Sequence, residues 1–183
     1  MRIVLSDLDK LLIDLDQYIV YLIQNDHIFY NNPEPQLQDI LHTYIHRLAY
    51  YNVINWQCEN ISKSVNDALS LWGYRGTVVF NKLRNECIMN IDNLISDHKH
   101  SLNQVHYIPT TFGLVMDSYI VLQIKKEYSS RQSDSNTYEE LGQQCIALTN
   151  SIKETLQLFN DAKIKFLVLI LLITFIVPFI FVI

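Results

Sequence analysis

A chain of 183 residues has room for one ordinary domain plus a short appended element, not for several domains. Four Gly and four Pro are too few for the many turns of a β-sandwich or barrel. A formal net charge of -5, from 14 Lys and Arg against 19 Asp and Glu, rules out a global basic field for nucleic acid. The cysteines, Cys58, Cys87 and Cys145, are odd in number and widely spaced, which fits neither a disulfide framework nor a zinc knuckle. They are expected as reduced thiols on half-buried helix faces.

In chain order, Val4, Leu8, Leu11, Leu15, Tyr18 and Leu22 alternate spacings of four and three, which predicts a helix over 3–24. Asn31-Asn32-Pro33-Glu34-Pro35 reads as a turn. Leu37, Leu41, Tyr44, Leu48 and Tyr51 predict a second helix over 36–56. Ile61, Val65, Ala68 and Trp72 predict a third over 59–72. Gly73 and Gly76 are expected to break or loosen it, since a helical glycine costs about 1 kcal/mol relative to alanine. A fourth helix is expected over 77–96 on Phe80, Leu83, Cys87, Ile91 and Leu94. Pro109-Thr110-Thr111 reads as the start of a fifth, carried by Phe112, Val115, Tyr119 and Leu122. The polar run over 129–136 ends it. Thr137 and Glu140 have capping-box spacing, so a sixth helix is expected from there, with Leu141, Cys145, Leu148, Ile152 and Phe159 on its apolar face. The fold class is all-α: a compact bundle of about six helices over 1–161.

The stretch from Phe166 to Ile183, FLVLILLITFIVPFIFVI, carries no charge, and Thr174 is its one polar side chain. Crossing a bilayer core takes about 20 apolar residues, so 162–183 is expected to be a C-terminal transmembrane anchor. Lys163 and Lys165 flank it, and positive charge stays on the cytosolic side. The expected location is a single-pass membrane protein with its N-terminal domain in the cytosol, at the endoplasmic reticulum or the mitochondrial outer membrane. Asp7, Asp9, Asp14 and Asp16 interrupt the first apolar stretch, so it does not read as a signal peptide.

Little here suggests chemistry. His42 and His46 are four apart on one helix face, but without the glutamate of a metalloprotease motif they read as ordinary helix residues. His98 and His100 flank Lys99 with no Cys or Glu nearby. No glycine-rich phosphate loop and no G-x-S-x-G elbow occur. The expectation is a non-enzyme with no cofactor, no metal, no small-molecule substrate and no nucleic-acid partner.

One segment, VNDALSLWGYRGTVVFNKL over 65–83, resembles the Bcl family of apoptosis regulators, including its divergent viral members. In one register, Trp72-Gly73 and Arg75 are similar to that family's N-W-G-R motif, with Tyr74 inserted and the asparagine missing. In the other, Val65, Leu69 and Gly73 resemble the V-x-x-x-L-x-x-x-G of its third homology motif, and Phe112-Gly113 becomes a degraded N-W-G-R. The resemblance implies a tail-anchored protein that binds amphipathic helices of other proteins, the pro-apoptotic homologues, in an apolar groove. Val65, Leu69, Trp72, Gly73, Arg75 and Phe80 would be the partner-binding residues, with Arg75 pairing an acid of the partner. A second reading is a membrane-fusion or tethering protein similar to the SNARE family, in which Leu114, Val121, Ile124 and Tyr128 continue a heptad seam toward the anchor.

Overall fold

The computed structural model describes residues 5–25, 34–96, 106–108, 110–132, 135–160 and 164–166. Five helices carry the architecture among them: α1 (Leu5–Gln24), α2 (Ile40–Ser62), α3 (Asp67–Ser96), α4 (Phe112–Arg131) and α5 (Ser135–Asn160). Two three-residue strands, β1 (His106–Ile108) and β2 (Ile164–Phe166), pair in parallel with Tyr107 opposite Lys165. The fold is all-α and compact, as the composition and spacing imply. Of the expected anchor, only Ile164–Phe166 is described, and it is extended rather than helical; the rest lies outside the described residues, as do His98 and His100. No described helix is long and apolar enough to cross a membrane.

The middle of α2 is enclosed on every side. All residues from Leu48 to Asn55 are buried, including Asn52 and Asn55, whose side-chain Nδ2 groups donate hydrogen bonds inside the bundle. α1, α3 and α4 surround it, and each fully buried Leu, Ile or Val stabilises the fold by about 1.5–3 kcal/mol. From α1 come Leu8, Leu15, Ile19 and Leu22; from α3, Ile91; from α4, Phe112, Met116 and Ile120. α5 packs along α4, with Lys126 Nζ 5.5 Å from the Tyr138 ring.

Three expected boundaries move. The second helix begins at Ile40, not Gln36, because the Asp39 side chain accepts from His42 N at 2.8 Å and caps it; Leu37 lies outside the helix and is exposed. The third and fourth expected helices are one. α3 runs through Gly73 and Gly76 without interruption, and the break falls at 63–66. There Lys63 N–H donates back to Asn60 O at 3.3 Å and Ser64 N–H to Ile61 O at 3.0 Å, and the Asn66 side chain accepts from Leu69 N at 3.1 Å to open α3. The glycines serve contact between helices instead. A Cβ on Gly73 would lie 2.5 Å from Ser62 N and 2.7 Å from Cys58 O, and one on Gly76 would lie 2.6 Å from Cys58 Sγ. Finally, α5 starts two residues ahead of Thr137. Thr111 does cap α4 as read, its Oγ1 accepting from Leu114 N at 3.2 Å.

Cys58, Cys87 and Cys145 are free and buried, and burial pushes the Cys87 thiol up to about 12. His46 is also buried, with Nδ1 donating to the His42 carbonyl at 2.9 Å and its ring 5.2 Å from that of Tyr18. Burial lowers its pKa below the ordinary 6.5. The unfolded chain therefore takes the proton more readily. The neutral imidazole's contribution is intact above pH 6.5 and is lost as the pH falls through the folded value. Burial raises the carboxyls of Asp16, Glu59 and Asp92, so they act in the opposite sense at lower pH. Comparing wild type with His46→Phe isolates the imidazole. Between pH 7 and 5, the wild type is expected to lose stability relative to the variant; parallel melting curves across that window would refute the assignment.

Candidate functional site

The N-terminal half of α3 presents an apolar face away from the core. The face pointing into the bundle is fixed by Gly73, Phe80, Arg84, Cys87 and Ile91. The opposite stripe, at helical spacing, is Leu71, Arg75, Val78 and Lys82, flanked by Trp72, Tyr74 and Val79. Leu69, Leu71, Tyr74, Val78 and Val79 are each at least half exposed, and Trp72 is 43 % exposed. Where α3 leaves α2, Leu69 and Trp72 border a shallow depression with Asn60, Ile61 and Ser64. Isolated exposed hydrophobics are ordinary; a contiguous set on one helix face marks an interaction surface. Arg75 and Lys82 put two cations on it.

The six residues singled out from the sequence divide. Val65, Leu69, Trp72 and Arg75 are exposed around this face, Val65 in the connection that precedes α3. Gly73 and Phe80 are not on it. Gly73 is buried against the backbone of α2, and Phe80 packs inward with its ring 6.3 Å from that of Tyr51. Neither can touch a partner on the outer face, and both are there because α3 must sit close on α2. Sequence reading missed Leu71, Val78, Val79 and Lys82. The spacing of Leu71, Arg75, Val78 and Lys82 was the available signal, masked by treating the glycines as a helix break.

A second surface, also missed, is a groove of about 1050 Å³ between α1 and α5, floored by α4. Leu12, Ile13 and Asp16 line the α1 wall; Gly142, Cys145 and Ile146 line the α5 wall; Tyr119, Gln123 and Lys126 form the floor. Lys153 Nζ meets Asp9 Oδ1 at 2.5 Å where the walls converge. Tyr119 OH donates to Asp16 Oδ1 at 2.8 Å, and Gln123 Nε2 donates to Tyr119 OH at 3.0 Å. Burial raises the Asp16 carboxyl, against the lowering effect of the Tyr119 hydrogen bond and of Lys126. Burial and the facing carboxylate together push the Tyr119 phenol well above its ordinary range.

Among the described residues, no group of three or more His, Cys, Asp and Glu is placed to hold a metal ion. His46 points its Nδ1 at its own helix backbone rather than toward His42's ring. The described residues thus define an all-α protein with an exposed apolar helix face and an open groove. No family model matches the chain, and neither a curated protein nor a solved structure matches it.

Proposed function

We propose that this protein is a helical regulator, tethered to a membrane by the apolar run Phe166–Ile183, that binds the amphipathic helix of a partner on the outward face of α3. The observation that carries the reading is the exposure of Leu69, Leu71, Trp72, Val78 and Val79 around Arg75. A partner helix with apolar anchors at i, i+3/i+4 and i+7 would lie along this face. An acid on that helix would meet Arg75 or Lys82, steering the encounter and fixing register. This is the mode of action the likeness to Bcl-family apoptosis inhibitors implies, with the contact surface on α3 in place of a closed groove. The packing of α5 along α4 supports this reading over a fusion-type helix running from Leu114 into the tail, because Ile124 is buried and Tyr128 stacks on Trp56 at 5.6 Å.

The test uses the full chain in detergent micelles, titrated with a panel of helical peptides carrying the third homology motif of pro-apoptotic Bcl members. Affinity in the micromolar range or tighter is expected. A buried tryptophan anchor is commonly worth 2 kcal/mol or more at an interface, so Trp72→Ala is expected to weaken binding by about 30-fold. Arg75→Ala should weaken it for peptides that keep the acid and not for those in which the acid is alanine. Binding that is indifferent to both substitutions would remove the α3 face from consideration.

A further inference from the structure

We infer that the α1–α5 groove receives the outward face of α3 from a second copy of this chain, head to tail. The inference rests on the α3 face proposed above and names a partner for it.

Gly142 is the first reason. The chain has four glycines. A Cβ on Gly73, Gly76 or Gly113 would come within 2.5–2.7 Å of an atom of another helix, so three of them exist because a neighbouring helix approaches too closely for a side chain. Around Gly142 there is nothing within 4 Å. Yet Gly142 lies inside α5, where alanine would be more stable, and it lines the wall of the groove. The one glycine that no contact among the described residues explains faces a space large enough for part of a helix. By the rule the other three obey, a helix belongs there.

The second reason is complementarity. The groove offers exposed apolar side chains in Ile13 and Ile146, each more than half exposed, and in Tyr138. Of the four carboxylates that line it, Asp9 is paired with Lys153 and Asp16 accepts from Tyr119, which leaves Glu139 and Glu140 as its exposed negative charge. The α3 face is apolar and carries the opposite charge at Arg75, with Lys82 shared with Glu86 one turn on at 3.9 Å. Glu139 and Glu140 stand exposed at the groove mouth, where they would meet those cations.

The third reason is topology. α3 packs on α2 and α4, whereas the groove is built from α1, α4 and α5. A helix held against α2 cannot reach its own chain's groove, so the docked α3 must come from another copy. The two surfaces differ, so the contact is heterologous and leaves one free face at each end of a pair. Repetition gives a ring or an open chain according to the rotation between copies.

The test is the association state of the full chain in detergent micelles, measured by sedimentation and by energy transfer between labelled copies. The wild type is expected to self-associate with concentration, more weakly at high salt. Gly142→Arg blocks the groove, and Trp72→Ala blunts the α3 face. Each is expected to weaken association by at least about 10-fold. Mixed together, the two variants should form a 1:1 pair, since one keeps a working α3 face and the other a working groove. Gly142→Ala guards against misfolding as the explanation: it should raise the melting temperature by about 2–4 °C while still weakening association. A monomeric wild type, variants that associate like wild type, or a mixture that stays monomeric would each overturn the inference. Peptide titration of Gly142→Arg separates it from the reading above. In Gly142→Arg, peptide affinity like that of the wild type together with lost self-association is the expected pattern, and Trp72→Ala alone should lose both; a wild type that binds peptide but stays monomeric leaves the α3 face standing and the groove refuted.

Discussion

Asp117→Ala is expected to destabilise the fold by about 3–5 kcal/mol, the range for stranding one partner of a buried ion pair. Asp117 sits on α4, almost wholly buried, and is held from two sides. Its Oδ1 accepts from Arg84 Nε at 2.6 Å and from Asn52 Nδ2 at 2.9 Å, and its Oδ2 accepts from Arg84 Nη2. The Arg84 side chain is 14 % exposed. Burial by itself would lower the guanidinium pKa, but the hydrogen bond and charge of Asp117 raise it. Removing the carboxylate leaves that cation in a low-dielectric site and also takes one of two acceptors from the Asn52 amide, which keeps only Leu48 O at 3.0 Å. Arg84→Met in the Asp117→Leu background should recover much of the loss, because an apolar pair of similar volume avoids both desolvation costs. Denaturant unfolding followed by Trp56 fluorescence reads both results. A single substitution costing under about 1 kcal/mol would show that solvent reaches the pair and that it does not tie α3 to α4.

The helices, their apolar faces and the polar breaks were largely legible, because the 3–4 spacing is strong wherever one side of a helix faces water. Leu8, Leu11, Leu15 and Leu22 are all buried on α1 as their spacing implies, and Thr111 caps α4. The boundaries of α2 and α3 were less legible. The enclosed middle of α2 has no side facing solvent, so periodicity gives no contrast there. The buried pairing of Asn52 and Arg84 with Asp117 spans three helices, and nothing local announces it. Asn66 followed by Asp67 is a recognisable helix start that the sequence reading missed, because two glycines look like punctuation when no partner helix is in view. The candidate site followed the same pattern. Exposed Leu69 and Trp72 were found through a motif resemblance, whereas the groove is made by three helices distant in sequence and could not be read from any one of them.

Gly73→Ala carries the second large effect, and its expected sign is the opposite of what helix propensity predicts. Propensity alone favours alanine by about 1 kcal/mol inside a helix. Against this, the new methyl would meet Ser62 N at 2.5 Å, Cys58 O at 2.7 Å and the Ile61 carbonyl carbon at 2.9 Å. All three are backbone atoms of α2, so no rotamer change relieves the clash and the helices must move apart. Overpacking typically costs 1–3 kcal/mol, with larger values where neighbours cannot yield, and a net loss of about 2 kcal/mol or more is expected. Gly76→Ala is the informative contrast, since its obstruction is the Cys58 sulfur at 2.6 Å. Cys58→Ala should therefore rescue Gly76→Ala and leave Gly73→Ala as damaged as before, because the carbonyl of residue 58 remains. The same separation of helices would tilt the outward stripe of α3, so Gly73→Ala should also weaken any ligand of Trp72 and Arg75 without touching it. Rescue of Gly73→Ala by Cys58→Ala would mean that α2 and α3 are held apart by side chains, and that the close backbone contact at Gly73 is not what positions the face.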